Sequence, residues 1–401
     1  MAWASPRPND RWRGNYRDSN GKVRIAKGPA GQSSSKSKRE ALRWANDMES
    51  MVRKGSWHDP DVGRMKFATY FEQHWLPNRM VELNTLKTYE SHYKTTLKNE
   101  FGETELRRIT SGVIQRWVTS MVRDGAHPKT VNAKFLTLQT ILAGRRGVSA
   151  VRDGLIQDNP CLGVTLPRLE KREARSYSVP EVDLLMTAIG AWWQPLLLLA
   201  AESGMRWGEL MGLRVSSFSE DFHRVTIRNV ILEVTKADTG NGTPFMWKPR
   251  PKGGQQRIAG LGPEVAAVLR RWVIDLEPDS EDRMFSMPGR NGRVLRTPEW
   301  PEGRPVSRTT FRDYWQRAHR EAGLPQDGRR FHDIRGSHIS WLLEGGADLP
   351  SVMRRVGHKQ ISTTQGYIDP GRNADDRAQA ALRAMREKYR HDAEADAVDG
   401  E

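Results

Sequence analysis

Cysteine is almost absent from the chain, because Cys161 is the only one among 401 residues. A single cysteine excludes an internal disulfide and any zinc site built from several thiolates. Long apolar runs are also missing, since PLLLLAA at 195–201 is far shorter than the ~20 residues of a membrane-spanning helix. The N-terminal MAWASPRPNDRWRG lacks the apolar core of a signal peptide. We therefore expect a cytoplasmic, reducing environment and no membrane partner.

Acidic residues are outnumbered by basic ones. The chain holds 64 Lys and Arg against 49 Asp and Glu, which gives a net charge of +15 and a pI near 10.0. Such an excess favours a polyanionic partner, and nucleic acid is the commonest. Charged residues make up 28% and hydrophobic residues 37%, a balance typical of soluble globular proteins. The length predicts two or three domains.

Residues 1–60 differ in composition from the rest of the chain. RWRGNYRDSNGKVRIAKG alternates aromatic or apolar residues with charged ones around Ser19-Asn20-Gly21, which predicts a hairpin with basic strands. SKREALRWANDMESMVRKG then predicts one helix that ends at Gly55. This segment carries 13 basic and 6 acidic residues. We expect a small, β-rich and basic N-terminal domain.

Residues 64–165 are predicted to be all helical, because four segments repeat apolar residues at three- and four-residue spacing. A Pro-rich, basic linker is predicted at 158–178. Residues 175–390 combine helices with strand-like stretches, one of them RVTIRNVILEVT at 224–235, and this mixture predicts a mainly α (α+β) domain with a small antiparallel sheet. The last segment, 391–401, holds five acidic residues and no Lys or Arg, and we expect a flexible, solvated tail.

The segment AESGMRWGELMGLRVSSF at 201–218 predicts a helix that stops at Gly204 and a second helix that begins near Arg206. Glu209 lies three residues later, close enough to pair with Arg206. Further on, PRPKGGQQR places Lys252 at a glycine turn between two predicted strands, at the tip of a hairpin. Taken alone, each of these charges is more often an ordinary surface residue.

The segment FHDIRGSH holds His332 and Arg335 three residues apart, on one face of a helix. RVGHKQISTTQGYIDP places His358 after a glycine and Tyr367 nine positions later. Taken singly, each of these histidines is more often a helix cap or a core residue, and a tyrosine such as Tyr367 is more often buried. The histidines are also unlike the usual zinc ligand sets, so we predict no metal site.

The order Arg, Lys, His-x-x-Arg, Gly-His and Tyr matches what attack of a tyrosine on a phosphodiester requires. A phenol with a pKa near ~10 is only about 0.1% ionised at pH 7, and a histidine can take its proton. Guanidinium groups can stabilise the negative charge on the non-bridging oxygens without a metal. A lysine can protonate the leaving deoxyribose oxygen. We therefore expect no metal, ATP or nucleotide cofactor.

These motifs resemble those of the tyrosine recombinase family, and within it the phage-type integrases, over roughly residues 60–390 and most strongly at 200–370. The resemblance implies a 3′-phosphotyrosyl intermediate in the site-specific DNA integration of a phage or mobile element, and it leaves open whether the element is also excised. It assigns Tyr367 as nucleophile, Arg206 and Arg335 as phosphate clamps, Lys252 as general acid, His332 as proton acceptor, His358 as a second phosphate contact and Glu209 as a supporting carboxylate.

Two positions depart from the family pattern. Lys248 lies four residues before Lys252 and competes for its role, but Lys252 sits at the glycine turn and five residues before Arg257, as in the family. Trp207 comes directly after the first arginine, where smaller aliphatic residues are common, and we interpret it as a packing residue.

The resemblance also implies the partners. It describes 64–165 as a SAM-like core-binding domain, 1–60 as an arm-binding domain, and double-stranded attachment sites on which four copies act through a Holliday junction. A DNA-bending host factor and an excision or directionality factor are further possible partners, in the nucleoid of a bacterial host. The candidate DNA contacts are Lys129, Thr130 and Lys134 in the core-binding domain and Trp12, Arg13, Tyr16, Arg17 and Arg24 in the arm-binding domain.

Alternatives remain open at this point. A type IB topoisomerase would share the tyrosine chemistry but reseal the same strand, and a catalytically silent DNA-binding regulator would share the fold. The basic N-terminal domain disfavours the first alternative and the complete motif set disfavours the second. A helix predicted at 375–390 could pack on its own domain or on a neighbouring copy.

Overall fold

The computed structural model is helix-rich and contains small antiparallel sheets. Two compact units divide the chain, residues 1–171 and residues 172–401. No helix in the described part of the chain combines the length and apolar character that a membrane crossing requires. The residues described are 1–19, 21–55, 62–169, 175–240, 242–249, 256–290 and 292–365.

The first unit begins with a sheet covered by one helix. Strands β1 (Trp3–Arg7), β2 (Arg11–Arg17) and β3 (Val23–Ile25) pair antiparallel in that order, which includes the predicted hairpin. Helix α1 (Lys38–Arg53) begins at the N-cap Ser37 and packs so closely on β2 that a Cβ at Gly14 would lie 2.1 Å from the Ala41 carbonyl oxygen. Only glycine fits this contact. A small core forms between sheet and helix from Tyr16, Ala26, Trp44 and Ala45.

The rest of the first unit is helical, as predicted, and its core is rich in aromatic residues. The rings of Phe71 and Tyr93 stack with centroids 3.9 Å apart, and the Tyr93 hydroxyl donates to Glu72 at 2.7 Å. Both rings lie in π-helical turns, Tyr70–Trp75 and Tyr93–Leu97. The α-helices are α2 (Phe67–Thr69), α3 (Leu83–His92), α4 (Lys98–Phe101), α5 (Ser111–Arg123) and α6 (Pro128–Ala143), with 3₁₀ turns at Val62–Arg64 and Leu106–Arg108.

The second unit encloses its own core of buried aliphatic and aromatic residues. Its first helices are α7 (Val179–Ala188), α8 (Gln194–Ser203) and α9 (Trp207–Met211), with a 3₁₀ turn after them at Val215–Ser217. The strands are β4 (Arg224–Ile227), β5 (Val230–Glu233), β6 (Phe245–Lys248) and β7 (Arg257–Gly260), with α10 (Lys236–Thr239) between β5 and β6. The later helices are α11 (Pro263–Leu276), α12 (Arg308–Glu321), α13 (Asp333–Glu344), α14 (Leu349–Val356) and α15 (Ile361–Gln365).

The strand pairing differs from the predicted hairpin around the glycine turn. The two strands that flank Lys252 do not pair with each other: β7 pairs with β4, and β6 pairs with β5. The physical reason lies in the stretch 224–233, where Val225, Ile227 and Ile231 are buried, so both halves of this long stretch enter the core and each takes its own partner strand. Lys252 itself lies outside the described residues.

A buried tyrosine anchors the start of the second unit. The Tyr177 backbone N–H donates to the Ser337 hydroxyl at 2.6 Å, and its own hydroxyl is hydrogen-bonded to His319 at 2.8 Å. The Arg329 guanidinium lies 4.4 Å from the centre of the Tyr177 ring and binds Glu181 through two hydrogen bonds, of 2.7 and 3.0 Å. These contacts fix the loop that precedes α13. The hydrogen bonds from Arg329 lower the pKa of Glu181 to about 2.

We predict that Glu181→Gln destabilises the protein in a pH-dependent way. The folded pKa of Glu181 lies below its ordinary value of 4.5, so its stabilisation is complete above that pH and is lost as the pH falls towards about 2. We expect a loss of about 1–2 kcal/mol in the free energy of unfolding at pH 7, measured by urea titration of the full chain. The difference from the native protein should shrink below pH ~4.

Glu344→Gln serves as the matched control, because Glu344 is an exposed carboxylate in the same unit. It should change the free energy of unfolding by less than ~0.5 kcal/mol at any pH. A Glu181→Gln effect that stays constant from pH 7 to pH 3 would contradict the ion-pair account.

Candidate functional site

Arg206 projects from a fixed turn between two helices. Helix α8 ends at Gly204, which adopts the left-handed conformation with φ of 60°, and Arg206 is the N-cap of α9. Glu209, in the first turn of α9, accepts a hydrogen bond of 2.8 Å from the Arg206 backbone N–H and one of 3.2 Å from its Nη1. Both predicted features, the turn and the bracing carboxylate, are therefore present. Trp207 is buried against Phe311, in agreement with a packing role.

Arg257 is the strongest partner of Glu209. From the start of β7 its Nη1 and Nη2 donate to the two Glu209 carboxylate oxygens at 3.0 and 2.7 Å, and its Nε donates to the Arg355 carbonyl at 2.9 Å. Glu209 is only 1% exposed. Burial alone would raise the pKa of Glu209, but the hydrogen bonds and charge of Arg257, and then the contacts of Arg206, outweigh it and lower the pKa. An ionised carboxylate therefore lies inside the site.

Arg335 is held by the ends of two helices. It lies on α13, is 4% exposed, and donates from Nη1 to the Gly204 carbonyl and from Nη2 to the Val356 carbonyl, both at 2.6 Å. These carbonyls belong to the C-terminal ends of α8 and α14, where the helix dipole is negative. The Arg335 guanidinium is thus fixed in place by backbone atoms.

The two predicted histidines lie beside these arginines. His332 is the N-cap of α13, and its surface is exposed. Partial desolvation of the ring by the surrounding protein, and then the charge of Arg335, lowers the pKa of His332. His358 comes directly after Gly357, and its Nδ1 lies 2.9 Å from the Thr364 hydroxyl. Burial first, and then the charge of Arg335, lowers the pKa of His358 to about 4. A pKa of about 4 keeps the His358 imidazole neutral at pH 7.

The structure brings most of the predicted catalytic residues together. Arg335 binds the Gly204 carbonyl, two residues before Arg206, and the Val356 carbonyl, two residues before His358. Arg206 and His332 line one groove, so segments far apart in sequence meet at one place. Such an arrangement of fixed cations and neutral imidazoles can bind a tetrahedral anion and exchange protons with it. Tyr367 and Lys252 lie outside the described residues, and Lys248 is the last residue of β6.

Four further arginines belong to this part of the molecule. In the sequence Arg257 stands out only for its spacing from Lys252, because the pairing of β7 with the rest of the unit cannot be seen locally. A groove of about 860 Å³ also opens beside Arg206 and His332. Its exposed arginines, which the motifs did not indicate, are Arg308, Arg312 and Arg330.

The candidate DNA contacts of the N-terminal sheet fall on opposite faces. Alternation along β2 places Trp12 and Tyr16 towards α1 and places Arg13 and Arg17 on the outer face. Tyr16 is 3% exposed and packs with Trp44, so the prediction of a surface contact is wrong for this residue and its side chain belongs to the core.

Arg24 also faces inwards. It is paired across the strands with Tyr16, and its Nε donates to Asp18 at 2.9 Å. Trp12 is half-buried, with the Lys38 ammonium 5.0 Å from its ring centre. The outer face instead presents Arg7 and Arg11, which pair across β1 and β2 and which were not among the predicted contacts.

The three candidates of the helical part of the first unit lie near the start of α6. His127 is the N-cap, and its side chain accepts from the Lys129 backbone N–H. Lys129 and Thr130 are exposed, whereas Lys134 is half-buried. The first two therefore have the accessibility that a phosphate contact needs.

We predict that His358 stays neutral far below the usual histidine range. Its protonation, measured by NMR of histidine-labelled protein, should give a pKa of about 4, against ~6.5 for an ordinary histidine. Arg206→Ala should raise this pKa, because it removes one of the positive charges near the ring. A His358 pKa near 6.5 in the native protein would contradict the arrangement.

Comparisons with known proteins identify the family to which the chain is similar. The phage integrase family model matches residues 179–373, and the phage integrase N-terminal SAM-like domain matches residues 66–122. The prophage phiRv2 integrase of Mycobacterium tuberculosis is 25% identical over 392 residues, which covers 94% of this chain and 93% of the relative. The tyrosine recombinase XerD of Pseudomonas aeruginosa is 29% identical over 238 residues, covering 56% of this chain and 68% of the relative.

The fold is shared with a solved structure. A lambda integrase tetramer bound to a Holliday junction matches with a TM-score of 0.55 and 19% identity, over 92% of this chain and 95% of that chain. At this identity the likeness concerns the fold. Together the two family models cover more than half of the chain, which therefore belongs to the phage integrase family of tyrosine-type site-specific recombinases.

Proposed function

We propose that the second unit cleaves and rejoins DNA at specific sites, with Tyr367 as the nucleophile, and so integrates a phage or mobile element, with excision of the element left open. The observation that carries this proposal is that Arg206 meets His332, Arg335 and His358, which lie more than 120 residues later in the sequence. Arg335 binds the helix ends that precede Arg206 and His358, and Arg206 and His332 line one groove. The membership of the phage integrase family supports it.

The arginines supply the electrostatic part of the proposed mechanism. Attack on the phosphodiester places negative charge on the non-bridging oxygens, and preorganised guanidinium groups stabilise it as it develops. Arg335 suits this task because backbone carbonyls fix it, and Arg206 because Glu209 braces it. A positioned arginine in phosphoryl transfer is worth roughly 10³–10⁵ in rate.

Proton transfer is the second part of the proposal. The lowered pKa of His332 favours a neutral imidazole, which can accept the proton of the attacking phenol. When the Thr364 hydroxyl donates to Nδ1 of His358, the Nε2–H of that ring can donate to a phosphate oxygen. Lys252 is the proposed general acid for the leaving 5′ oxygen. A 5′ hydroxyl of the partner duplex then attacks the phosphotyrosyl bond and releases Tyr367.

The DNA-binding parts of the proposal depend on the surface charges. We assign 175–390 as the catalytic domain, 64–165 as the core-binding domain and 1–60 as the arm-binding domain, with 391–401 as a tail. Exposed Lys129 and Thr130 support a backbone contact by the core-binding domain. On the N-terminal sheet the outer face supplies the basic surface, through Arg7, Arg11, Arg13 and Arg17. Such contacts fix position on the duplex.

The assembly is proposed from the structural neighbours. A lambda integrase forms a tetramer on a Holliday junction, and we propose that four copies of this chain act on two double-stranded attachment sites in the same way. We also propose that a DNA-bending factor and a directionality factor assist in the bacterial cytoplasm. The segment 375–390 would pack on its own or a neighbouring copy, and it lies outside the described residues.

We predict a covalent protein–DNA adduct that depends on Tyr367. Nicked suicide duplexes, built from the DNA that flanks the integrated element, release the short strand and trap the phosphotyrosyl bond. The native protein should form the adduct, and Tyr367→Phe should lose it, with a rate at least ~10³-fold lower, because no other hydroxyl replaces the nucleophile. Denaturing gels measure the adduct.

Tyr314→Phe is the matched control, since it removes a tyrosine hydroxyl from the same unit outside the motifs. It should keep the native rate. Absence of an adduct on every candidate duplex would refute the catalytic proposal and favour a DNA-binding regulator. An adduct that relaxes supercoils but never joins two duplexes would favour a topoisomerase.

A further inference from the structure

A second buried histidine lies behind the proposed phosphate clamp. His338 lies three residues after Arg335 on α13, which makes the two side chains neighbours on one face, and each residue is 4% exposed. The motifs single out His332, Arg335 and His358, and the proposed mechanism does not use His338. Its hydrogen bonds nevertheless reach the same two helix ends that hold Arg335.

The hydrogen bonds of His338 fix its protonation state and tautomer. Arg355 Nε lies 3.2 Å from His338 Nε2, and a guanidinium can only donate, so Nε2 must be the unprotonated acceptor. Nδ1 then carries the hydrogen and donates it to the Ala201 carbonyl at 2.8 Å. Burial, and then the charge of Arg355, lowers the pKa of His338 to about 4, in agreement with a neutral ring.

Arg355, the partner of this ring, joins three elements. Its Nη2 donates to the Glu202 carbonyl at 2.8 Å and to the Gly260 carbonyl at 3.0 Å, so it links α14 to the end of α8 and the end of β7. Its own carbonyl accepts the hydrogen bond from Arg257 Nε at 2.9 Å. The orientation of the Arg355 side chain therefore determines the position of the end of α14 relative to the rest of the site.

Two layers of contacts thus hold the same helix ends. In the first layer Arg335 binds the Gly204 and Val356 carbonyls. In the second layer His338 binds the Ala201 carbonyl and Arg355, one residue before Val356. The ring fills the space beside Gly204 so closely that a Cβ there would lie 2.6 Å from His338 Cδ2.

We propose that His338 is a positioning residue for strand cleavage. By accepting a hydrogen bond from Arg355, it holds the end of α14 in place. That helix end provides the carbonyl that fixes Arg335, and it is followed directly by the segment that carries His358. This inference rests on the proposed function. His338 does not contact the phosphate. It affects the reaction only by positioning the residues that do.

Two substitutions of equal polarity separate positioning from packing. In His338→Asn the amide nitrogen replaces Nδ1 and keeps the donor to Ala201, but no atom of residue 338 accepts from Arg355 Nε. In His338→Gln the amide reaches the Nε2 position, and its oxygen accepts from Arg355. On a duplex with which the native protein forms the adduct, we expect the Asn variant to cleave ~10–100-fold more slowly and the Gln variant to remain within about threefold of the native rate.

The controls are the affinity for DNA and a substitution at the residue next to His338. The Kd for the same duplex should stay within about threefold in both variants, because His338 contacts no DNA in this account. Ser337→Ala removes the neighbouring buried hydrogen bond to the Tyr177 backbone and should keep the native cleavage rate. A Gln variant as slow as Asn, an Asn variant as fast as the native protein, or a loss confined to Kd would each overturn the inference.

One measurement on the native protein is independent of how the variants fold. The ¹⁵N shifts of His338 should report hydrogen on Nδ1 and a bare Nε2, and the opposite tautomer would also overturn the inference. A native protein that forms no adduct would refute the proposed function itself. If the native protein forms the adduct but the Asn and Gln variants of His338 cleave at the same rate, only the positioning role of His338 is refuted.

Discussion

The buried ion pair between Glu209 and Arg257 is the interaction on which the rest of the site depends. Arg206, Arg257 and Arg335 bring positive charge into one small region, where mutual repulsion and loss of hydration oppose folding. Glu209 offsets this cost, because its ionised carboxylate accepts from both Arg206 and Arg257 while only 1% exposed. It also joins the start of α9 to β7, and Arg257 continues the connection to the end of α14 through the Arg355 carbonyl.

Backbone carbonyls hold Arg335 in place. The carbonyls that end α8 and α14 orient Arg335 and partly neutralise it through the helix dipoles, yet they carry no full negative charge. The site therefore keeps an excess of positive charge for a phosphate. Burial, and then the charge of Arg335, lowers the pKa of His358, so that its neutral ring is available as a hydrogen-bond partner. The positive charge that favours anion binding thus adds to the effect of burial on this ring.

Local rules in the sequence were enough for the parts of the site that depend on neighbours along the chain. Gly204 ends a helix in the left-handed conformation, Arg206 begins the next, and Glu209 folds back onto it, as the spacing predicted. Pairings between distant segments were not predictable in this way. Nothing near Arg257 indicates that its partner lies 48 residues earlier, and nothing around the glycine turn shows that β6 and β7 take different partner strands. On the N-terminal sheet the alternation of β2 was visible, but the position of α1 decides which face is buried, and this placed Tyr16 in the core.

The most direct test of the central claim is a double-mutant cycle on the free energy of unfolding with Glu209→Gln, Arg257→Met and the double variant, measured by urea titration of the full chain. If each partner of the buried pair compensates the charge of the other, we expect a coupling free energy of at least ~2 kcal/mol. The free energy of unfolding of the double variant should then fall by far less than the sum of the losses in the two single variants. Additive losses, within about 0.5 kcal/mol, would contradict the claim that this ion pair organises the site.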